Sequence, residues 1–235
     1  MMKTIILAGG LGTRIAEETE FKPKPMVLIN GKPLLWHLMS IYAKQGYSEF
    51  VIATGYKGEI IHRWVAGIQE SWNVQALDTG KDTQTGGRIK QCIQAFPANG
   101  YLVTYGDGLG NVSLRELLKI HRIGSPVATL TAVRPPARFG SVKIDGVQVN
   151  HFGEKNQADE GWINGGFFAM QREIVDYIDS DSEPLETGAL PRLAELNRLN
   201  AYKHSEFWQP MDTLREKLDL ENLALSIPVP WLRDI

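Results

Sequence analysis

The sequence predicts an α/β fold with a mixed, mainly parallel sheet flanked by helices. Short apolar segments typical of buried strands alternate with amphipathic segments typical of helices over much of the 235 residues. A glycine-rich loop follows the first apolar segment, and the tripeptide Gly106-Asp107-Gly108 follows a later one. Because ligands bind in such folds at the carboxyl ends of the strands, we expect both segments to lie at one edge of the sheet.

Strands and helices alternate as far as Val133, and a hairpin follows. Strands are predicted over residues 4–8, 26–29, 49–54, 74–77, 101–105 and 127–133, and helices over residues 33–45, 58–65, 88–96 and 113–121. Residues 141–144 and 147–152 then alternate about Asp145-Gly146, which indicates a hairpin. A strand over 163–170 and helices over 173–178, 185–196 and from Thr213 complete the pattern. No linker rich in Gly, Ser or Pro interrupts the chain, so we predict a single domain over 1–235.

The composition excludes several classes of protein and site. The formal net charge is -2 and the charged residues are mixed along the chain, which argues against binding of nucleic acid or of a membrane surface. No signal peptide or apolar run of about 18 residues is visible, so we expect a soluble, cytoplasmic protein. Cys92, the single cysteine, excludes an internal disulfide and is expected to be a buried packing residue. The histidines lack the spacing of a zinc site, and no nucleophile elbow indicates acyl transfer.

The loop after the first strand has the composition of a phosphate-binding loop. Gly9, Gly10 and Gly12 carry no Cβ and can adopt positive φ, so successive backbone N–H groups can approach phosphate oxygens. Thr13 adds a hydroxyl donor, and Arg14 adds a guanidinium fork that fits two phosphate oxygens. The alternative is a tight strand-to-helix turn that binds no ligand.

A second cationic group follows on a stiff segment. Pro23 and Pro25 fix φ on either side of Lys24, which lowers the entropy lost when its ammonium is aimed at a phosphate. Two generic nucleotide motifs fail here, because Ile15 occupies the third glycine position of a dinucleotide fingerprint and no P-loop pattern occurs. The sequence therefore indicates an anion-binding loop of another kind.

The loop LAGGLGTR is followed, in order, by EETEFKPKPM, TGGRIK, TYGDG, RPPARFG, GWINGGFF and FWQPMDTLREK. Spread over nearly the whole chain, these motifs resemble those of the sugar-phosphate nucleotidyltransferases, and among them the glucose-1-phosphate cytidylyltransferases. The resemblance implies an enzyme with a single nucleotidyltransferase domain of Rossmann-like, GT-A-like fold. About 1–125 would form its nucleotide-binding half, and about 126–235 its sugar-phosphate-binding half and carboxyl-terminal tail.

The resemblance also implies a set of nucleotide and metal contacts. Mg²⁺ would be held by Asp107 and Asp212 against the nucleotide phosphates, although from the residues alone Asp212 reads more readily as the N-cap of the helix from Thr213. The loop over 78–88 would contact the nucleotide, with Gly86-Gly87 admitting the base edge, where composition alone suggests an exposed connection. Arg14, Lys24 and Asp107 are the expected catalytic residues. The implied nucleotide contacts are Leu7, Ala8, Gly9, Gly10, Leu11, Gly12, Thr13, Arg14, Lys24, Thr83, Arg88 and Gly106.

On the acceptor side the resemblance implies contacts from Glu154, Lys155, Asn164 and Gly165. Lys155 would neutralise the sugar phosphate, and the 164–165 segment would bind sugar hydroxyls. The alternative for residues 164–166 is a β-bulge within a strand. The chain departs from the family pattern in two places: Asn156 stands where proline is usual, and the segment over 64–78 is shorter than in the cytidylyltransferases.

The substrates that the resemblance implies are CTP and a sugar 1-phosphate, glucose 1-phosphate being the best match. The second pKa of such a phosphate is about 6, so at neutral pH the acceptor is already a nucleophile and needs no general base. We expect in-line attack on the α-phosphate, with Arg14, Lys24 and Mg²⁺ on the triphosphate. The alternatives are the same chemistry with another phosphorylated acceptor or with UTP or dTTP, and a non-catalytic nucleotide-sugar sensor; the missing third glycine disfavours a nicotinamide dehydrogenase. Family precedent and the apolar tail over 225–235 favour a homo-oligomer.

Overall fold

The computed structural model describes residues 2–135, 140–154 and 161–235. None of the helices in these ranges combines the length and apolarity needed to cross a membrane. The strands are β1 (Lys3–Leu7), β2 (Leu28–Ile29), β3 (Lys32–Pro33), β4 (Glu49–Thr54), β5 (Asn73–Asp78), β6 (Tyr101–Tyr105), β7 (Gly108–Gly110), β8 (Ala128–Val133), β9 (Gly140–Asp145), β10 (Gln148–Glu154), β11 (Ile163–Met170), β12 (Leu199–His204) and β13 (Trp208–Pro210). The α-helices are α1 (Ala16–Thr19), α2 (Leu34–Lys44), α3 (Gly58–Ala66), α4 (Thr85–Ala95), α5 (Leu114–His121), α6 (Ala189–Glu195) and α7 (Leu214–Leu223).

The largest sheet in the described residues has seven strands in the order β12-β8-β11-β6-β1-β4-β5. Parallel pairing joins β6 to β1, β1 to β4, β4 to β5 and β12 to β8. β11 runs antiparallel to both of its neighbours, β6 and β8. The sheet is therefore mixed and mainly parallel, which confirms the predicted fold class.

Both faces of the sheet are buried, because the apolar side chains of each strand alternate between two cores. On β1, Ile6 lies in the core that α2 covers, whereas Ile5 and Leu7 lie in the core that α4 covers. Parallel strands that are buried on both faces read as near-continuous apolar runs. Strands β1, β4 and β6 can therefore be predicted from their apolar runs. Packing on both faces holds these strands in place, and the site lies at their carboxyl ends.

Several predicted boundaries are wrong for identifiable reasons. Helix α4 begins at Thr85, three residues before the expected start. The earlier start is not predicted because the first turn contains two glycines, which disfavour a helix in isolation. Residues Arg172–Tyr177 form a 3₁₀ segment rather than an α-helix. Helix α6 begins only at Ala189, after a turn in which the Gly188 N–H donates to Pro184 O. The predicted hairpin about Asp145-Gly146 is confirmed by the antiparallel pairing of β9 with β10.

The carboxyl-terminal tail belongs largely to the core of its own chain. Trp231 is completely buried, and its ring centroid lies 5.3 Å from that of His37 and 6.1 Å from that of Phe207. Trp231 therefore packs within its own chain and is not free to form the homo-oligomer contact that the apolar tail favours. Leu225 and Ile227 remain exposed, and a homo-oligomer contact there stays a prediction.

We predict that Trp231→Ala destabilises the protein by about 3–5 kcal/mol, because it leaves a large cavity between buried rings. Leu225→Ala, in the same tail but exposed, should change the free energy of unfolding by less than about 0.5 kcal/mol. Urea denaturation of both variants measures the difference. Equal effects of the two substitutions would contradict the assignment of the tail to the core.

Candidate active site

A cleft of about 670 Å³ opens where β1 and β6 end. Its volume lies in the range of small-molecule binding sites. Asp212 does not line the cleft itself but contacts two residues that do, Arg14 and Lys24. The structure thus brings together the two aspartates and all the residues implied to contact nucleotide, although that contact stays a prediction. The lining includes Leu7, Ala8, Gly9, Gly10, Leu11, Gly12, Thr13, Arg14, Lys24, Thr83, Arg88, Gly106 and Asp107.

The glycine loop is shaped by one left-handed residue and by close packing. Gly12 has a φ of +65°, and its carbonyl oxygen accepts a hydrogen bond from Thr19 Oγ1 at 3.1 Å. Of the three glycines that can adopt positive φ, Gly12 does so and Gly9 and Gly10 do not. Gly9 is needed for another reason, because a Cβ there would lie 2.2 Å from Nη1 of Arg88.

Arg88 ties the glycine loop to the loop after β5. Its Nη1 donates to Thr54 O at 2.8 Å, to Thr79 Oγ1 at 2.6 Å and to Gly80 O at 2.9 Å. Its Nη2 donates to Gly9 O at 3.1 Å and to Lys81 O at 3.3 Å. Burial lowers the pKa of this guanidinium. Arg88 therefore holds two walls of the cleft in place through their main-chain oxygens, a role that the sequence alone does not reveal.

The glycine pair before Arg88 also has a role that differs from the expected one. A Cβ on Gly86 would lie 2.6 Å from Glu183 O, and a Cβ on Gly87 would lie 2.5 Å from Asp181 O. The Gly86 N–H donates to the same Glu183 O at 3.1 Å. These glycines thus let α4 approach the 181–183 backbone, and the expectation that they admit a base edge stays a prediction. Thr83 lines the cleft, and its hydroxyl donates to Thr79 O.

A chain of three ionic contacts forms the charged centre of the site. Lys24 Nζ lies 2.9 Å from Asp107 Oδ2 and 2.7 Å from Asp212 Oδ1, and Arg14 Nη1 lies 2.6 Å from Asp212 Oδ2. Lys24 is buried, whereas the Arg14 side chain is 69% exposed. An ammonium shielded from water acts more strongly on nearby charge than an exposed group does. Lys24 is therefore the shielded cation of this charged centre, and Arg14 is the exposed one.

The backbone delivers the two aspartates to the same place. Asp107 follows β6, where Gly106 packs so closely that a Cβ would lie 2.5 Å from Leu7 O at the end of β1. The Met211 N–H donates to Asp107 O at 2.8 Å and so places Asp212 beside it.

Asp212 is not the N-cap of α7. Thr213 caps this helix, since its hydroxyl accepts from the Glu216 N–H at 3.2 Å while the Glu216 carboxylate accepts from the Thr213 N–H at 3.0 Å. The Asp212 carboxylate is thereby left to Lys24 and Arg14.

The donor set fits a metal ion that is shared with a nucleotide. Asp107 and Asp212 converge on one cation, the Lys24 ammonium, and so can present oxygens to a common point. Among the described side chains there is no cluster of three or more His, Cys, Asp or Glu that could hold a metal alone. Mg²⁺ is commonly held by one or two carboxylates together with substrate phosphates, which matches this arrangement.

The acceptor side is described in part. Asn164 Nδ2 donates to the Tyr105 hydroxyl at 3.0 Å, and Gly165 O accepts from Trp208 Nε1 at 2.8 Å. The pairing of β11 with β8 shifts register after Asn164, so the alternative of a β-bulge is confirmed here, and a contact of this segment with sugar stays a prediction. Glu154 ends β10, where the structure describes the main chain, and Lys155 and Asn156 lie outside the described residues.

Cys92 and three buried histidines, His37, His121 and His204, serve the fold. Cys92 is fully buried, and burial raises the pKa of its thiol to about 12, which confirms a packing role. His37 and His204 are hydrogen-bonded to main-chain carbonyl oxygens, and burial lowers the pKa of both. His121 pairs with Thr129 Oγ1 at 2.8 Å.

Two residues of the cleft were missed in the sequence. Glu186 stands among several acidic residues of a polar segment and carries no local signal, and Tyr105 reads as an ordinary strand residue. Both line the cleft, and the Tyr105 hydroxyl donates to the Glu186 carboxylate. Only the fold brings them together.

We predict that Gly9→Ala destabilises the protein by about 1–3 kcal/mol, because the new methyl group would displace the Arg88 guanidinium from its main-chain acceptors. Gly10→Ala is the matched control, since a Cβ there would meet nothing within 4 Å; its effect should stay within about 0.5 kcal/mol. Thermal and urea unfolding measure both. A Gly9→Ala variant as stable as Gly10→Ala would refute the clamp by Arg88.

The comparisons with known proteins agree on one family. The model of the family "Nucleotidyl transferase" matches residues 3–212. The chain is 42% identical to the glucose-1-phosphate cytidylyltransferase of Salmonella typhi, over 98% of each chain. It is 36% identical to the probable glucose-1-phosphate cytidylyltransferase of Bacillus subtilis, over 94% of this chain and 96% of the relative.

A solved structure shares the fold. HddC from Yersinia pseudotuberculosis, complexed with GMP-PN, superposes with a TM-score of 0.73 and 25% identity, covering 94% of this chain and 99% of that one. The family model spans both the glycine loop and Asp212, so the match includes the whole charged centre of the cleft. The chain therefore belongs to the nucleotidyl transferase family.

Proposed function

We propose that this chain transfers a cytidylyl group from CTP to glucose 1-phosphate, with CDP-glucose and pyrophosphate as products. The observation that carries the proposal is the buried Lys24 ammonium, held between Asp107 and Asp212 beside a glycine loop. The choice of CTP and glucose 1-phosphate is supported by the 42% identity to a curated cytidylyltransferase over 98% of each chain.

The reaction asks the protein for positioning and charge rather than for a base. A phosphate oxygen of the dianionic acceptor attacks the α-phosphorus of CTP, and the bond from that phosphorus to the bridging oxygen of the β-phosphate breaks. Pyrophosphate leaves with the electron pair of that bond. The acceptor has no proton to lose at neutral pH, because its second pKa is about 6. Such transfers depend on alignment and on stabilisation of moving charge.

Lys24 is well placed to supply the fixed part of that stabilisation. Its side chain is 10% exposed and lies on a segment where Pro23 and Pro25 restrict the backbone, so little reorganisation is needed when phosphate charge moves. Arg14, at 69% exposure, can follow the phosphates of the entering nucleotide. When CTP binds, its phosphates would compete with the two aspartates for Lys24, which frees carboxylate oxygens.

Asp107 and Asp212 would hold Mg²⁺ together with the CTP phosphates. The ion supplies Lewis-acid neutralisation of the triphosphate charge. Thr83, Gly106 and the loop from Leu7 to Arg14 would contact the nucleotide, and Arg88 would act on it by holding that loop. On the acceptor side, Lys155 would neutralise the sugar phosphate, and Glu154, Asn164 and Gly165 would contact the sugar.

The remaining parts of the proposal concern assembly and organisation. We infer one domain over 1–235, a homo-oligomer and a cytoplasmic enzyme. The continuity of the seven-stranded sheet, which takes strands from β1 to β12, supports a single domain.

We predict release of pyrophosphate when the purified protein is given Mg²⁺, CTP and glucose 1-phosphate. CTP, UTP, dTTP, ATP and GTP are each combined with several sugar 1-phosphates, and Asp107→Asn should lower the rate at least about 100-fold. Turnover of CTP with another acceptor would correct the substrate and leave the chemistry standing. If no pair of substrates released pyrophosphate, the proposed activity would be wrong and a non-catalytic nucleotide-sugar sensor would be favoured.

We also predict that Lys24→Ala lowers kcat by about 10²–10³-fold, because it removes a fixed charge that acts as the pyrophosphate departs. Lys22→Ala is the matched control, since Lys22 pairs with Glu18 at 3.4 Å and does not line the cleft. Steady-state kinetics with each substrate varied measure both variants. An unchanged kcat in Lys24→Ala would remove Lys24 from the mechanism.

A further inference from the structure

Glu186 contributes a negative charge to a cleft whose other strong charges are arranged for phosphate. Its carboxylate accepts hydrogen bonds at both oxygens, from the Tyr105 hydroxyl at Oε1 and from Thr85 Oγ1 at Oε2, the latter at 2.8 Å. These donors come from the end of β6 and the first residue of α4. The carboxylate is therefore fixed in place by two separate elements, even though the residue lies in an exposed loop before α6.

The direction of both hydrogen bonds is determined by the other partners of the two hydroxyls. Thr85 Oγ1 accepts from the Leu185 N–H at 2.8 Å, so its own proton is available to Glu186. The Tyr105 hydroxyl accepts from Asn164 Nδ2 at 3.0 Å, so its proton is available to Glu186 as well. Asn164 is oriented in turn, because its Oδ1 accepts from the Gly166 N–H at 2.9 Å. The two hydroxyl protons therefore both point towards the Glu186 carboxylate.

The network leaves Glu186 with acceptor capacity and nothing to donate. An ionised carboxylate offers about four lone-pair positions, and the two hydroxyls use two of them. A fixed negative charge repels phosphate. Neither proposed substrate carries a cationic group, so the substrate groups suited to face Glu186 are neutral hydrogen-bond donors.

The position of the network favours the acceptor sugar over the nucleotide. Tyr105 directly precedes Gly106 and Asp107, so the network begins beside the charged centre. It then reaches Asn164 at the start of β11, next to a small cavity of about 30 Å³ that Tyr105, Asp107 and Asn164 line together. In a hexose 1-phosphate the neutral donors are the sugar hydroxyls.

We propose that Glu186 is a specificity-determining residue that accepts a hydrogen bond from one hydroxyl of the acceptor sugar. This inference rests on the proposed function, because it needs a sugar 1-phosphate in the cleft. Tyr105 and Thr85 act as positioning residues that hold the carboxylate towards the substrate.

The test is Glu186→Gln, assayed with glucose 1-phosphate and with its 2-, 3-, 4- and 6-deoxyfluoro analogues, in which fluorine cannot donate a hydrogen bond. In the wild-type enzyme one analogue should lose about 10- to 100-fold in kcat/KM, the range for a hydrogen bond to a charged group. Glu186→Gln should lose about as much with glucose 1-phosphate and little more with that analogue. The KM for CTP should change less than about twofold.

Two further variants sharpen the result. Glu195→Gln removes an exposed carboxylate at the end of α6 and should leave all constants unchanged. Tyr105→Phe removes the phenol that orients Glu186 and should weaken the same analogue preference. Equal loss with every analogue, a change confined to the KM for CTP, or an unchanged Glu186→Gln enzyme would each overturn the inference while the proposed function stands. A wild-type enzyme that is silent with every sugar 1-phosphate would overturn both.

Discussion

The Lys24 ammonium between two carboxylates is the contact on which the rest of the site depends. The contact joins Lys24 to Asp107, which is 83 positions away in the sequence, and to Asp212, which is 188 positions away. The ammonium is buried, and an unpaired charge there would be costly. Its partners must therefore be delivered by the backbone rather than by flexible side chains. Gly106 packed on the end of β1, and the main-chain bond from Met211 to Asp107, do this. The sheet and the helix that follows Asp212 thereby set the spacing of the charges.

The walls of the cleft depend in the same way on main-chain acceptors. Arg88 donates hydrogen bonds to the carbonyl oxygens of four residues in three different loops or strand ends, Gly9, Thr54, Gly80 and Lys81. A guanidinium has five donors in a rigid fork, so it can fix more oxygens at once than the three-donor ammonium of a lysine. The missing side chain of Gly9 is part of this contact. The shape of the loop therefore requires glycine at this position, because a side chain would displace Arg88. Gly9 is needed for packing as well as for access of a phosphate.

The sequence predicts the sheet well because buried parallel strands leave a strong apolar signal, as in β1 and β6. The resemblance of its motifs to those of the sugar-phosphate nucleotidyltransferases also predicts that Lys24, Asp107 and Asp212 lie in one site, and the structure brings them into contact. The sequence does not predict tertiary contacts between distant segments. Arg88 binds main-chain oxygens, and Gly86 and Gly87 pack on the 181–183 backbone. A helix that starts with two glycines opposes local propensity and forms because tertiary packing compensates. Glu186 remains hidden because its partners come from distant elements.

The distribution of charge in the cleft gives the bound substrates one favourable orientation. Lys24 and Arg14 attract phosphate, and the carboxylate of Glu186, held by Tyr105 and Thr85, repels it. A molecule with a phosphate at one end and hydroxyls at the other gains from both interactions in one orientation and loses from both in the other. Recognition of the sugar and activation of the phosphate then rest on separate residues. Changes at the hydroxyl-binding end can therefore alter which sugar is accepted while the charged centre, fixed by the ends of β1 and β6, keeps its geometry.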